Sequence, residues 1–183
     1  MKNPIKILTV AALLIAGNIS LNAQKSVMVG GAAMYPTKNI IENAVNSKDH
    51  TTLVAAVKAA GLVDALQAKG PLTVFAPTNA AFDKLPAGTV DNLVKPENKA
   101  TLISILTYHV VAGKYDSATL KKMANENKGI VELTTLQGEK ITVMEKDGKW
   151  VVKDSKGNTA QITIADVYQS NGVINVIDTV LMP

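Results

Sequence analysis

The stretch LTVFAPTNAAF, residues 72–82, decides how this chain folds. Leu72 to Ala76 form a short apolar run rich in β-branched and aromatic residues, which is typical of a buried strand. Pro77 ends the run, because proline has no N–H to give to a strand ladder. Thr78 follows at a position where its side chain can cap a helix. The stretch therefore predicts a strand, a stop and a helix.

Apolar residues at helical spacing lie on both sides of this stretch. Before it, two groups share a face at i, i+1 and i+4: Leu53, Val54 and Val57, then Leu62, Val63 and Leu66. After it, Pro96 suits a first helical turn, and the helix that follows carries the stripe Leu102, Ile103, Ile105 and Leu106. Gly61 and Gly70 stand where helix C-caps belong. Asp116 or Ser117 can cap one more short helix.

The later part of the chain changes to the period of two that strands show. Ile141 and Val143 alternate, and the first of the turns that follow has the Asp-Gly sequence of a tight hairpin. Turn residues recur at 147–148, 155–158 and 171–172. Val173 to Leu181 is apolar on both alternating sets of positions except at Asn175, Asp178 and Thr179, which predicts a central strand covered on both faces. The sequence therefore indicates an α+β domain, with helices packed at one end of an antiparallel sheet.

The first residues have the order of a secretion signal. Lys2 and Lys6 precede an apolar run of about 13 residues, shorter than the about 20 that a membrane span needs, and Ala23 closes the segment. We expect residues 1–23 to be a signal peptide, 24–37 a flexible lead segment and 38–183 the folded domain. The protein is then expected to be secreted, either into the periplasm or to the extracellular cell surface.

Composition narrows the classes of function. The 183 residues are 47% hydrophobic and contain no cysteine, so the chain can fold around a core but forms no disulfide, thiol nucleophile or thiolate metal site. All 19 basic residues are lysine, which disfavours the bidentate contacts by which arginine reads phosphate and guanine. We therefore expect no nucleic-acid partner.

Sequence motifs of catalysis, metals and cofactors are missing. His50 and His109 are the two histidines, about sixty residues apart and outside any metal-binding pattern. No serine lies in a GxSxG turn, and neither phosphate-loop pattern occurs. We expect no catalytic residue, no bound metal and no cofactor, and hence a protein that is not an enzyme.

Two aspartates lie inside apolar sequence predicted to form strands, where burial would shift the pKa of their carboxyl groups. Asp166 and Asp178 are favoured as acceptors for backbone N–H groups, and catalysis is the weaker interpretation. A hydrolase using Asp166 or His109 stays open here, and it would need a second titratable group within hydrogen-bond reach in a cleft.

Three blocks of the sequence together resemble the fasciclin domain. They are Thr73 to Phe82, Ile105 to Gly113, and Ile164 to Pro183. The resemblance covers about Lys38 to Pro183. It implies a wedge of β-strands with several α-helices packed along one edge, in agreement with the α+β class reached from the residues.

The resemblance also implies a function and a set of binding residues. It implies a secreted, non-catalytic adhesion or matrix-interaction module whose partner is a protein or polysaccharide on a cell surface or matrix, or a second copy of the chain. The family's tyrosine-histidine motif falls on Tyr108 and His109. Its aspartate-aliphatic motif, implicated in integrin recognition in animal members, falls on Asp166 and Val167, with valine in place of the more usual isoleucine. We expect Tyr108 and His109 to lie at a helix-to-strand junction and to stabilise the fold first.

A second hypothesis is a periplasmic or surface binder of a small apolar or glycan ligand. It requires a sizeable pocket lined by residues such as Met123, Met144 and Trp150.

Overall fold

The computed structural model describes residues 25–183, so the predicted signal peptide lies outside the described residues. The strands of this range are β1 (Val27–Val29), β2 (Ala32–Met34), β3 (Leu72–Pro77), β4 (Val110–Ala112), β5 (Ile130–Thr134), β6 (Lys140–Lys146), β7 (Lys149–Lys153), β8 (Thr159–Gln169) and β9 (Gly172–Ile177). The α-helices are α1 (Ile40–Ala44), α2 (Thr51–Ala60), α3 (Val63–Gln67), α4 (Asn79–Asp83), α5 (Thr89–Leu93), α6 (Lys99–Tyr108) and α7 (Ser117–Glu126). Single 3₁₀ turns, Lys48–His50 and Pro96–Asn98, lead into α2 and α6.

Seven of the strands form one sheet that curls almost into a barrel. Their order is β4-β3-β9-β8-β7-β6-β5. The two edge strands approach each other through a bridge between Val111 and Thr135, and the Leu136 N–H donates to the Val110 carbonyl at 2.8 Å. The two edges of the sheet thus meet at Val110 and Val111 of β4 and at residues 135–136, which follow β5.

The prediction of a purely antiparallel sheet is wrong at the centre, where β3 and β9 run parallel. All other neighbours in the sheet are antiparallel. β9 is buried at every residue, and β3 is buried at all but its first. Strands covered on both faces are those that parallel pairing suits, so the two most apolar strands meet at the centre although they lie at opposite ends of the domain sequence.

The core consists of two clusters, one on each face of this central pair. Helices α1 to α6 pack on one face, where Val74 and Ile174 belong to the helix-side cluster. Phe75 and Ile177 point the other way and join the interior cluster, which is enclosed by the curled sheet and α7. Because successive side chains of β3 and β9 point to opposite faces of the sheet, the two strands contribute residues to both clusters.

Several of the predicted helix caps are confirmed. Thr78 accepts from the Ala81 N–H at the start of α4, and Asp116 does the same for α7 through the Thr119 N–H. Gly61 ends α2 in the left-handed conformation. Gly70 is not a helix C-cap, because α3 ends at Gln67 and Ala68 is its C-cap.

The segment predicted as a flexible lead contains a hairpin. β1 pairs with β2 across a turn at Gly30-Gly31, and Val29 and Met34 are buried in the helix-side cluster. The prediction is therefore wrong over residues 27–34. Strands of three residues are too short to show a periodic pattern, so the glycine pair was the visible signal and indicated only flexibility.

Candidate functional site

Tyr108 and His109 lie at the junction predicted for them, where α6 ends and β4 begins. Tyr108 is fully buried. Its hydroxyl donates to the Lys140 carbonyl at 3.2 Å and accepts from the Ser155 N–H at 2.9 Å. Burial raises the pKa of the phenol, against the lowering effect of the Ser155 hydrogen bond. Tyr108 thus joins the end of α6 to β6 and to the turn that follows β7.

The imidazole of His109 uses both ring nitrogens inside the fold. Nδ1 lies 2.8 Å from the Ile105 carbonyl, and Nε2 lies 3.0 Å from the Leu181 nitrogen. Because Nε2 accepts from the Leu181 N–H, the ring proton is on Nδ1, which donates to Ile105. Burial lowers the pKa of His109 to about 4 and outweighs the raising effects of Ile105 and the Asp154 carboxylate. The neutral ring ties the C-terminal segment, residues 178–183, to α6.

Asp154 completes this junction, and the sequence reasoning missed it. It is 5% exposed, and its carboxylate accepts from the Asn158 N–H at 2.8 Å and from the Met182 N–H at 3.1 Å. The signal that could have found it is the turn sequence of residues 154–158, since aspartate at the start of a turn commonly accepts from a nearby N–H. Asp154 therefore holds the C-terminal segment at Met182, one residue after the contact of His109 with Leu181.

Asp166 lies in an irregular part of β8. The register of β8 against β9 shifts between Ile164 and Val167, and Asp166 has a φ of 59°, a left-handed conformation that aspartate tolerates. Its Oδ1 accepts from the Ser117 N–H at 2.7 Å, and its own N–H donates to Asn175 Oδ1 at 3.2 Å. The bulge aims the half-buried carboxylate at the first turn of α7. Val167, the next residue, is fully buried in the helix-side cluster.

The Asp166 surface is the name we give to the four side chains Lys114, Asp116, Asp166 and Tyr168. The Tyr168 hydroxyl donates to Asp116 Oδ2 at 3.2 Å, and Lys114 Nζ lies 4.5 Å from the centre of the Tyr168 ring. Burial, together with the carboxylates of Asp166 and Asp116, raises the pKa of Tyr168 to about 12. Burial alone would raise the pKa of Asp116, but the Thr119 and Tyr168 hydrogen bonds and the Lys114 charge lower it. The surface therefore presents two carboxylates, one phenol and one ammonium group in fixed relation.

Two buried polar residues on the central strands hold this surface in place, and the sequence reasoning missed both. Thr73 Oγ1 donates to the Gly113 carbonyl at 2.7 Å and accepts from the Tyr115 N–H at 2.9 Å. Asn175 Nδ2 donates to the Tyr115 carbonyl at 3.3 Å, while its Oδ1 accepts from the Asp166 N–H. The interruption of an apolar strand by a polar residue is the signal that could have found them. The loop between β4 and α7 is thus fixed to β3 and β9.

The structure does not bring the four predicted site residues together. Among residues 25–183, no hydrogen bond joins Tyr108 or His109 to Asp166. Three of the four are buried: Tyr108, His109 and Val167. Asp166 is the member whose side chain reaches solvent.

The geometry required for a hydrolase is not met at either candidate. In the described part of the chain His109 bonds the backbone of Ile105 and Leu181, and the Asp166 carboxylate bonds the backbone of Ser117. Within residues 25–183, neither has a second titratable group within hydrogen-bond reach. Asp178 likewise accepts from the Gln161 N–H at 2.8 Å. The interpretation of both aspartates as backbone acceptors is confirmed.

The predicted ligand pocket is not formed by the residues named for it. Met123 and Met144 line separate surface depressions, and Trp150 packs against the interior cluster. Across residues 25–183 no group of three His, Cys, Asp or Glu side chains is arranged to hold a metal ion. Over the same range no helix has both the length and the apolar character to cross a membrane.

Residues 48–183 match the Fasciclin domain family. This chain belongs to the fasciclin domain family. The resemblance inferred from the three sequence blocks is confirmed, and so is the α+β wedge that it implies.

The relatives that are similar over most of the chain include two mycobacterial proteins and one from Synechocystis sp.. Protein sll1483 of Synechocystis sp. is 50% identical over 160 residues, covering 87% of this chain and 82% of that protein. Immunogenic protein MPB70 of Mycobacterium bovis is 41% identical over 145 residues, covering 76% of this chain and 66% of that protein. Cell surface glycolipoprotein MPB83 of M. bovis is 39% identical over 160 residues, covering 85% of this chain and 64% of that protein. The chain thus spans just under two thirds of the two mycobacterial relatives.

The fold is shared with solved structures, among them a domain pair of an insect protein. A FAS1 domain pair from the insect cell adhesion molecule fasciclin I aligns with a TM-score of 0.70 at 22% identity. The alignment covers 80% of this chain and 51% of the other. At this identity the likeness establishes the fold alone.

Proposed function

We propose that this fasciclin-domain protein is exported and acts as a non-catalytic recognition module at the cell surface or in a surrounding matrix. The observation that carries the proposal is membership of a family in which a relative 39% identical over 85% of this chain is a cell surface glycolipoprotein. The module's partner is a protein or a polysaccharide on a cell surface or matrix, or a second copy of the chain.

The proposal places recognition on the Asp166 surface and not on the buried motif residues. A partner cannot reach Tyr108, His109 or Val167 without unfolding the protein, because their side chains are at most 2% exposed. Asp166 is partly exposed, and one oxygen of its carboxylate, Oδ2, has no hydrogen bond within the described residues. A rigid group of charged and aromatic side chains is the type of surface that gives specificity at an interface.

Binding of the exported protein to a glycan array, to cell-surface and matrix preparations and to itself tests the proposal. The informative variant is Asp166→Asn, because asparagine tolerates the left-handed backbone and keeps an acceptor for the Ser117 N–H. Asp166→Ala would lose both the acceptor and the tolerance of the left-handed backbone. A loss of binding in that variant could then come from unfolding and not from a lost contact with the partner. Lys114→Gln tests the cation of the same surface, and Lys149→Gln on β7 is the matched control for an exposed lysine elsewhere.

Saturable binding should weaken about tenfold in Asp166→Asn and in Lys114→Gln, which is about 1.4 kcal/mol, while the melting temperatures fall by at most a few degrees. Lys149→Gln should bind as the unaltered protein does. Equal affinity of all four proteins would remove the Asp166 surface from the proposal, and a lack of binding to every preparation would remove the recognition role.

A further inference from the structure

A small apolar cavity lies between the helices and the sheet, on the side of the helix-side cluster. Its volume is about 70 Å³, and we call it the His50 cavity. Its walls include Met34 of β2, Leu53 and Val57 of α2, Val74 of β3 and Ile174 of β9, with His50 as a polar side chain among them.

His50 places an unpartnered nitrogen at this cavity. The residue is 2% exposed, and Nδ1 lies 2.9 Å from Ser47 Oγ. Nε2 is buried and has no hydrogen-bond partner among the described residues. Burial lowers the pKa of His50, against the raising effects of the Ala76 backbone and the Asp49 carboxylate, so the ring is neutral at pH 7. The Ser47 hydroxyl can donate to Nδ1, and in that tautomer Nε2 carries the ring proton and is a donor.

Other polar groups on the wall are already used. Both ring nitrogens of His109 are bonded, and the Thr107 hydroxyl donates to the Ile103 carbonyl at 2.7 Å. A buried water typically needs two to four polar partners, and these side chains offer His50 Nε2 alone. A molecule with one acceptor and an apolar body suits the walls better than water does.

The geometry points to the His50 cavity as a binding site for a short amphiphile, one oxygen of which accepts from His50 Nε2 while its carbon atoms contact the apolar walls. An apolar cavity of about 150 Å³ takes up benzene, so a cavity of 70 Å³ suits a body of about three heavy atoms. The proposal goes beyond surface recognition, since none of its residues belongs to the Asp166 surface.

The hairpin of β1 and β2 fixes the polar end of this site. The Gly30 carbonyl accepts from the Lys48 N–H at 3.0 Å. A side chain at Gly30 would collide with Ser47 Oγ. The hairpin turn therefore packs directly against the serine that orients His50. Leu136, which is 50% exposed, also lines the cavity and marks its side nearest solvent.

The test is a titration of the exported protein, without a histidine tag and with ¹⁵N-labelled histidine, followed by NMR. The sequence has two histidines, so His109, whose nitrogens are both bonded, is an internal control. The probe is 1-propanol, and 1-chloropropane is the comparison, because it has the same chain with a much weaker acceptor. We expect a saturable shift of His50 Nε2 with 1-propanol, a much weaker response to 1-chloropropane, and no shift of His109.

Two core variants distinguish binding of 1-propanol in the His50 cavity from a general effect of the alcohol on the protein. Val57→Ile adds one methylene group at the cavity wall and should weaken 1-propanol binding severalfold. Val143→Ile adds the same group in the interior cluster, away from the cavity, and should leave binding unchanged. A shift that does not saturate, that is equal at both histidines or that is unaffected by Val57→Ile would overturn the proposal. So would an equal response to 1-chloropropane, because the hydrogen bond would then play no part.

Discussion

Acidification from about pH 7 to about pH 4.5 should remove stability through His109, because the folded protein holds this ring neutral. Its pKa is about 4 in the folded state against an ordinary 6.5, which corresponds to about 3 kcal/mol at 1.36 kcal/mol per pKa unit. The folded-state pKa is the lower one, so this stability is complete above pH 6.5 and is lost as the pH falls toward 4. Between the two conditions named, about 2 kcal/mol should disappear.

The physical cause is the bond between His109 Nε2 and the Leu181 N–H. A proton on Nε2 would replace this acceptor with a second donor and leave a charge in a fully buried site. Urea unfolding followed by fluorescence of Trp150, the single tryptophan, measures the free energy of unfolding at each pH.

The matched variant is His109→Gln, which cannot titrate. Its free energy of unfolding should be lower at pH 7 by about 2 kcal/mol, because two buried hydrogen bonds are disturbed, and it should fall less on acidification. His50, whose pKa is also lowered, acts in both proteins and cancels in the comparison. If the two proteins lose the same stability between about pH 7 and about pH 4.5, the reasoning about His109 is wrong.

Three further outcomes follow from the described contacts. Asp166→Ala should lower the free energy of unfolding by about 2 kcal/mol in urea titrations, while Asp166→Asn should cost less than about 1 kcal/mol, because only asparagine keeps the acceptor and suits the left-handed backbone. Equal losses would refute the role given to Ser117. Met34→Ala should cost about 3 kcal/mol by the same assay, because the side chain is 2% exposed; a neutral change would mean that the hairpin does not contribute to the core. Mass spectrometry of the exported protein should find Gln24 as its first residue, and an intact chain would contradict the predicted signal peptide.

The sequence predicted those parts of the fold whose signals are local. The strand predicted over residues 72–76, the cap at Thr78 and the Asp147-Gly148 turn each depend on residues a few positions apart. Each is present, although the strand includes Pro77, which was predicted to end it. The parallel pairing of β3 with β9 was missed, because it joins segments about a hundred residues apart and neither carries a mark of strand direction. The hairpin of β1 and β2 was missed for the opposite reason, since its strands are too short to show a pattern.

The candidate site was predictable in part. Asp166 could be recognised as an acceptor for backbone N–H groups, because a carboxylate in an apolar strand needs such partners. Its partner Ser117 could not, because the two residues are 49 positions apart. Thr73 and Asn175 gave the visible signal of polar residues inside apolar strands, and the loop that they fix explains it. Their role depends on the position of the loop between β4 and α7, which packs against β3 and β9. Local sequence patterns do not predict such a contact between distant segments.

The motif residues Tyr108 and His109 connect distant parts of the chain through hydrogen bonds. His109 and Leu181 are 72 positions apart, and a contact of His109 with a partner would require its bond to the Leu181 N–H to break. That break would leave a buried N–H without an acceptor and free the segment that Asp154 also holds. Loss of binding after substitution of His109 is therefore expected from unfolding of the junction alone. Only Asp166→Asn, which keeps the fold's own hydrogen bond, separates recognition from stability at these motifs.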